Sequence, residues 1–162
     1  MEAKLPFARL LQVAALAVSV AVAVGVQAEA APVAYGTYYD DQSVSASGCS
    51  GVTLCRTNFS QLSSDKLFNL TKVNCQVQSN QPLIFGFVSA AATSGGGSVG
   101  RSVYFSLGAA TVAASNYFYS FESDANFLIG QGRFPYIQVV PVTTANIILN
   151  CGIRGDLVPP IQ

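Results

Sequence analysis

Apolar and polar residues alternate along most of the chain beyond residue 31, and this period of two is typical of β-strands. The pattern is clearest near the C-terminus, where Ile147, Leu149 and Cys151 share one face of a predicted strand. Asn146 and Asn150 lie on its opposite face. The alternation therefore predicts a strand with one buried and one solvated face.

Helical periodicity is almost absent, and short runs of β-branched and aromatic residues are separated by Gly, Ser, Asn and Pro. Two segments, 109–115 and 123–130, could each contain a helical turn. About eight strands at this spacing predict an all-β fold, an antiparallel β-sandwich or jelly roll. The predicted strands are 34–39, 52–59, 66–78, 83–89, 101–107, 117–122, 134–142 and 145–153.

The N-terminus carries the pattern of a secretory signal peptide. Lys4 and Arg9 precede an apolar run over 10–26, and small residues at signal-peptidase spacing follow it. An uncleaved anchor is the alternative, since a membrane span needs about 20 apolar residues. We expect residues 1–30 to be cleaved, which leaves 31–162 as one secreted or periplasmic β-sandwich domain without a stable membrane anchor.

All four cysteines lie beyond this segment, where an oxidising compartment favours disulfides. Cys49 and Cys55 bracket a short stretch containing Gly51, which lets the chain turn back and close a ring. Cys75 and Cys151 lie mid-strand on predicted inward faces. Three connectivities are possible, and the spacing favours Cys49–Cys55 and Cys75–Cys151. Without a Cys-x-x-Cys spacing or a histidine, no metal site is expected.

The ionisable residues exclude several kinds of chemistry. Eight Lys and Arg balance eight Asp and Glu, and the chain has no histidine. No concentrated basic patch is present, so nucleic acid is not an expected partner. Histidine-dependent nucleophilic systems are excluded.

Glu122 and Asp124 could share a strand face as a glycosidase pair does, but they are also typical of a strand-ending turn. We expect no enzymatic activity, no catalytic residue and no cofactor.

Two short motifs have alternative interpretations. Arg154-Gly155-Asp156 is the tripeptide that integrins recognise, and it follows a predicted strand where a turn would expose it. The same residues are typical of a plain strand-ending turn. Asn58 and Asn69 begin glycosylation sequons, which matter only in a eukaryotic secretory pathway.

An aromatic cluster is the remaining candidate site. Tyr117, Tyr119 and Phe121 share one face of a predicted strand and could form a platform for a sugar ring or a protein partner. The alternative is a sandwich core with phenol hydroxyls at its rim.

Only 10% of the residues are charged, so neutral polar and apolar groups must cover much of the surface. Such a surface tends to pack against a partner.

These patterns together favour a secreted, non-enzymatic β-sandwich module that binds a surface, a glycan or a protein partner. The alternative is a structural or assembly subunit of an extracellular appendage or coat, which would self-associate through a sheet edge. A carboxylate-pair glycosidase is a third, less favoured hypothesis.

Overall fold

The computed structural model describes residues 31–45 and 48–160, and all regular structure within them is β. The expected signal peptide, residues 1–30, lies outside the described residues. Within the described ranges, no helix is long and apolar enough to cross a bilayer.

The described strands are β1 Val33–Tyr35, β2 Tyr38–Val44, β3 Cys49–Val52, β4 Cys55–Asn58, β5 Leu67–Ser79, β6 Leu83–Ala91, β7 Val103–Phe105, β8 Thr111–Ala113, β9 Asn116–Ile129, β10 Phe134–Pro141 and β11 Ala145–Val158.

These strands form two antiparallel sheets that pack face to face, so the prediction of an all-β sandwich is confirmed. In the described part of the chain, seven strands form the larger sheet, in the order β1-β2-β11-β5-β9-β8 with β3 also paired to β11. Four strands form the smaller sheet, in the order β4-β10-β6-β7. We call them the seven-stranded and the four-stranded sheet. The long strands β5, β9 and β11 lie side by side in the larger sheet.

The core lies between the sheets and follows the alternation of the sequence. On β11, Ile147, Leu149 and Ile153 are buried. On β5, the buried residues Val77 and Val73 lie opposite Leu149 and Ile153. Burying each such aliphatic side chain contributes about 1.5–3 kcal/mol. Because successive side chains alternate between faces, this burial fixes which face of each long strand points inward.

The helical turns that the sequence allowed in two segments are not formed. Segment 123–130 belongs almost entirely to β9, which continues to Ile129, and segment 109–115 contains β8. The pairing of β5 with β9 shifts register between Leu70 and Lys72, and Asn126 on β9 has φ 43° at this irregularity. Asparagine tolerates the left-handed region better than most residues, so β9 passes through the bulge without ending.

Both favoured disulfide pairings are present in the structure. Cys49–Cys55 joins β3 of the seven-stranded sheet to β4 of the four-stranded sheet. Cys75–Cys151 joins directly opposed residues of β5 and β11, with their Cα atoms 4.1 Å apart. No described cysteine is free. Two disulfides fit an oxidising environment.

Polar and aromatic contacts also connect the sheets. The hydroxyls of Ser43 on β2 and Thr57 on β4 form a buried hydrogen bond of 2.7 Å. The rings of Phe105 on β7 and Phe121 on β9 lie 4.8 Å apart between centroids. Because these contacts lie in the interior, they fix the position of one sheet on the other.

A buried carboxylate lies near the outer strands of the seven-stranded sheet. Asp41 accepts hydrogen bonds from the Tyr39 hydroxyl at 3.3 Å and from the Ser60 backbone N–H at 2.8 Å. Burial raises the pKa of Tyr39, and the Asp41 charge adds to that rise. The phenol therefore stays protonated at neutral pH and keeps donating to Asp41.

Candidate functional site

The aromatic residues expected to form a platform lie on the inward face of β9. Tyr119 is 6% exposed, and its hydroxyl accepts a hydrogen bond from the Leu83 backbone N–H at 2.9 Å. Tyr117 and Phe121 are partly buried and pack against the core. The same face continues to buried Ile129, so it has to point inward along its whole length. These three side chains therefore pack in the sandwich core, as the alternative interpretation had it, and the Tyr119 hydroxyl bonds to the backbone.

A different aromatic cluster covers the outer face of the four-stranded sheet. Phe85 and Phe87 project from β6, Tyr104 from β7 and Tyr136 from β10. The Tyr104 ring lies 5.5 Å from that of Phe85 and 5.4 Å from that of Phe87, and Phe87 lies 6.2 Å from Tyr136. Tyr104 is 66% exposed. We call these four residues the aromatic face.

Arg56 on β4 covers one end of the aromatic face. Its guanidinium carbon lies 3.5 Å from the centre of the Tyr136 ring, a cation–π geometry. Nε donates to Asn58 Oδ1 at 2.6 Å, and Nη1 donates to the Gly96 carbonyl at 2.6 Å. Nη2 is buried and has no hydrogen-bond partner among the described residues. Burial lowers the pKa of Arg56 and Tyr136 opposes that effect, so the guanidinium stays charged.

The aromatic face was not found from the sequence, although one signal marks it. Strand β6 begins Leu-Ile-Phe-Gly-Phe-Val, which is apolar on both faces, so alternation does not show which face is outward. Gly86 separates Phe85 from Phe87, and a Cβ at Gly86 would overlap the ring of Phe105. The glycine therefore faces the core, and the two phenylalanines have to point away from it.

The outer face of the seven-stranded sheet carries a polar depression. Two adjoining hollows of about 420 and 520 Å³ share Gln76, Ser120 and Asn150. These three residues are directly opposed on β5, β9 and β11. Gly152 lies in the next row and lines the first hollow. We call the two hollows together the amide groove.

The lining of the groove is mainly neutral and polar. The side chains of Gln42, Asn74, Gln76, Ser120 and Asn150 make no hydrogen bond to another described residue. Each amide offers both donors and acceptors, and the serine hydroxyl offers both as well. The groove therefore presents several groups that are free to bind a polar ligand.

The second hollow has an apolar end, formed by residues on three strands of the seven-stranded sheet. Phe118 on β9, Ile148 on β11 and Val44 on β2 line it, and Phe118 is 38% exposed. A ligand lying in the groove would meet amides along one part and an aromatic ring at the other.

Paired charges lie beyond the polar end. Lys72 Nζ lies 2.5 Å from Glu122 Oε1, and Arg154 Nε lies 3.1 Å from Asp40 Oδ2. The hydrogen bond and the charge of Lys72 lower the pKa of the Glu122 carboxyl, and Glu122 raises the pKa of Lys72. The Lys72–Glu122 pair therefore stays ionised at neutral pH.

Glu122 and Asp124 lie on the outer face of β9, as the sequence allowed for a glycosidase pair. The expectation that they end a strand was wrong, because β9 continues beyond them. A general acid needs a raised pKa, whereas Lys72 lowers the pKa of Glu122. The electrostatics thus do not favour acid catalysis here.

Arg154-Gly155-Asp156 lies within β11 rather than in a turn, so the expected turn was wrong. Arg154 is paired with Asp40, Gly155 is buried, and Asp156 Oδ1 accepts a hydrogen bond from the Thr37 hydroxyl at 3.2 Å. Contacts with neighbouring strands therefore occupy the charged side chains of the tripeptide.

In residues 31–45 and 48–160, no group of three or more cysteines and carboxylates is placed to hold a metal ion. No protein-family model, no curated protein and no solved structure matches the chain. Function has to be inferred from the aromatic face and the amide groove themselves.

Proposed function

We propose that the protein is a secreted, non-enzymatic module that binds a protein partner through the aromatic face. One observation carries this proposal: Tyr104 is 66% exposed while it packs against Phe85 and Phe87. Phe85 and Phe87 are half-buried and Tyr136 is buried, so Tyr104 is the exposed ring of the cluster. An exposed aromatic ring held among others on a sheet surface is typical of an interaction site. The N-terminal pattern and the two disulfides support secretion.

The orientation of the rings favours a protein over a polysaccharide. The Tyr104 ring is inclined by 64° to that of Phe85 and by 46° to that of Phe87. Sugar rings of a flat polysaccharide would stack best on coplanar aromatic rings, which these are not. An irregular protein surface can fill the spaces between tilted rings, and Arg56 adds a residue type enriched in binding hot spots.

Self-assembly is a second candidate, which a different observation favours. Strand β7 is the last strand on one side of the four-stranded sheet in the described residues, and it carries Tyr104. A second copy could pair its own β7 with this open edge and extend the sheet. This arrangement corresponds to an assembly subunit of an extracellular structure.

Variant-dependent binding tests the proposal. The mature chain, residues 31–162, is immobilised and exposed to envelope and secreted proteins of the source cells, and the affinity for the captured protein is then measured. Tyr104→Ser should weaken that affinity tenfold or more, about 1.4 kcal/mol, because an interface anchor is lost. Tyr35→Ser is the matched control, since Tyr35 is 85% exposed but lies on β1 of the other sheet.

Light scattering of the free protein separates the two candidates. A constant mass supports the partner-binding module, whereas a mass that rises with concentration, and that Tyr104→Ser keeps constant, supports self-assembly. Equal binding by wild type and Tyr104→Ser would contradict the proposal. Polysaccharide retention that depends on Tyr104 would assign the aromatic face to a glycan instead.

A further inference from the structure

The amide groove is separate from the aromatic face and lies on the opposite side of the sandwich. Its unpaired groups suit a ligand rich in hydroxyls, because each hydroxyl both donates and accepts a hydrogen bond, as the lining amides do. An extended peptide would need free backbone groups to form a ladder. The groove lies over β5 and β11, which are paired on both sides, and over β9, which is paired with β5 throughout and with β8 only at 116–118. The backbone groups across the floor of the groove, between these strands, are therefore already engaged.

The charge distribution favours a neutral ligand. Lys72 is paired with Glu122, and Arg154 is paired with Asp40, so neither cation is left for an anionic ligand. Asp124 lies directly opposite Lys72 and adds a further negative charge at this end. A uronic acid or sulfated sugar would therefore be repelled rather than held.

The apolar end completes the match to a saccharide. A pyranose ring has a rim of hydroxyls and a face of C–H groups, and that face packs well on an aromatic ring. Phe118 and Ile148 line the second hollow, beside the shared residues Gln76 and Asn150. The two adjoining hollows fit consecutive sugar units, one among the amides and the other against Phe118.

Gly152 makes room for the Asn74 side chain at the polar end of the groove. A Cβ at this position would lie 2.5 Å from Asn74 Oδ1, so the Asn74 side chain occupies the space that a larger residue would fill.

We infer that the amide groove binds a neutral oligosaccharide, with its hydroxyls on Asn74, Gln76 and Asn150. One sugar ring stacks on Phe118. This inference does not depend on the proposed role of the aromatic face.

Titration calorimetry and NMR shift mapping on the mature chain, residues 31–162, test the inference. The probes are neutral hexasaccharides of glucose, xylose, mannose and galactose, with hexagalacturonate as the anionic probe. At least one neutral probe should bind and shift resonances of the groove. Gln76→Ala and Gly152→Val should each weaken that binding tenfold or more, because the first removes a hydrogen-bonding group and the second displaces the Asn74 side chain from its position in the groove.

Gln131→Ala is the matched control, since Gln131 is an exposed amide in the turn between β9 and β10. It should bind like the wild type, and melting curves of all variants should confirm that they are folded. Tighter binding of hexagalacturonate than of the neutral probes would overturn the ligand class. Unchanged binding in both groove variants would overturn the location, and no binding of any probe at millimolar concentration would overturn the inference as a whole. A binding loss in Tyr104→Ser alone would move the saccharide to the aromatic face.

Discussion

Gly155 shows how closely one residue can determine strand packing. It lies where the pairing of β11 with β5 shifts register, and a Cβ there would overlap the Asn69 carbonyl group. The same Cβ would lie 2.9 Å from the ring of Phe68. Neither neighbour can move without disturbing the pairing of the two strands, so this position requires glycine.

Gly155→Ala should therefore destabilise the fold by about 1–3 kcal/mol, the usual range for overpacking a well-packed interior. Urea denaturation of both proteins measures the difference. Gly97→Ala is the control, because no atom lies within 4 Å of a Cβ at Gly97. Equal stability of Gly155→Ala and the wild type would show that β11 can shift to accommodate the methyl group.

The sequence predicts which residues share a face, but not always which face is buried. Tyr117, Tyr119 and Phe121 do lie on one face of β9, as alternation indicates, and only the fold shows that this face is inward. Phe85 and Phe87 also share a face, and theirs is outward. Aromatic side chains suit both a core and an interface, so composition alone does not separate the two cases.

At the scale of elements, the hairpin of β8 and β9 was missed because its turn lacks the usual residues. Ala114 and Ser115 form a two-residue connection and have φ 46° and 61°. Two-residue hairpin turns with positive φ at both positions strongly favour Asn-Gly. Ala-Ser carries no such signal, although the backbone adopts the conformation despite its strain.

Replacing Ala114→Asn together with Ser115→Gly should stabilise the protein by roughly 1 kcal/mol, because both new residues tolerate positive φ. Calorimetry should show a higher melting temperature. Ala92→Asn, at an exposed position after β6 without positive φ, controls for the general effect of a polar substitution. A lower melting temperature of the double variant would contradict this account of the turn.

Two strands run further than the sequence indicated because charged residues resembled turns. Glu122 lies mid-strand in β9, and Arg154 lies mid-strand in β11. Each pairs with an opposite charge on a neighbouring strand, Lys72 for the first and Asp40 for the second. Cross-strand charge pairs stabilise an exposed sheet face, so charge in these segments did not signal the end of a strand.

At the scale of the whole molecule, alternation was enough to predict the fold class but not the arrangement of the sheets. Strand β11 pairs with β2, which lies far away in sequence, and this pairing places β11 in the middle of the larger sheet. Local patterns carry no information on such distant partners. The amide groove depends on this order, since its lining comes from β2, β5, β9 and β11, and it could not be assembled from the sequence.

The disulfides act on the whole molecule because they restrict the unfolded chain. Cys49–Cys55 spans a sequence separation of 6 and Cys75–Cys151 a separation of 76. In the chain-entropy model these loops correspond to about 2.4 and 4.5 kcal/mol of stability. Against a typical domain stability of about 5–15 kcal/mol, loss of the longer loop would leave a marginal fold.

Cys75→Ala with Cys151→Ala should therefore reduce stability more than Cys49→Ala with Cys55→Ala does. Guanidinium denaturation under non-reducing conditions compares the two double variants with the wild type, and peptide mapping verifies that each retains its other disulfide. The short disulfide also joins the two sheets, whereas the long one lies within the seven-stranded sheet. A larger loss from the Cys49 and Cys55 pair would thus mean that linking the sheets in the folded state outweighs restricting the unfolded chain.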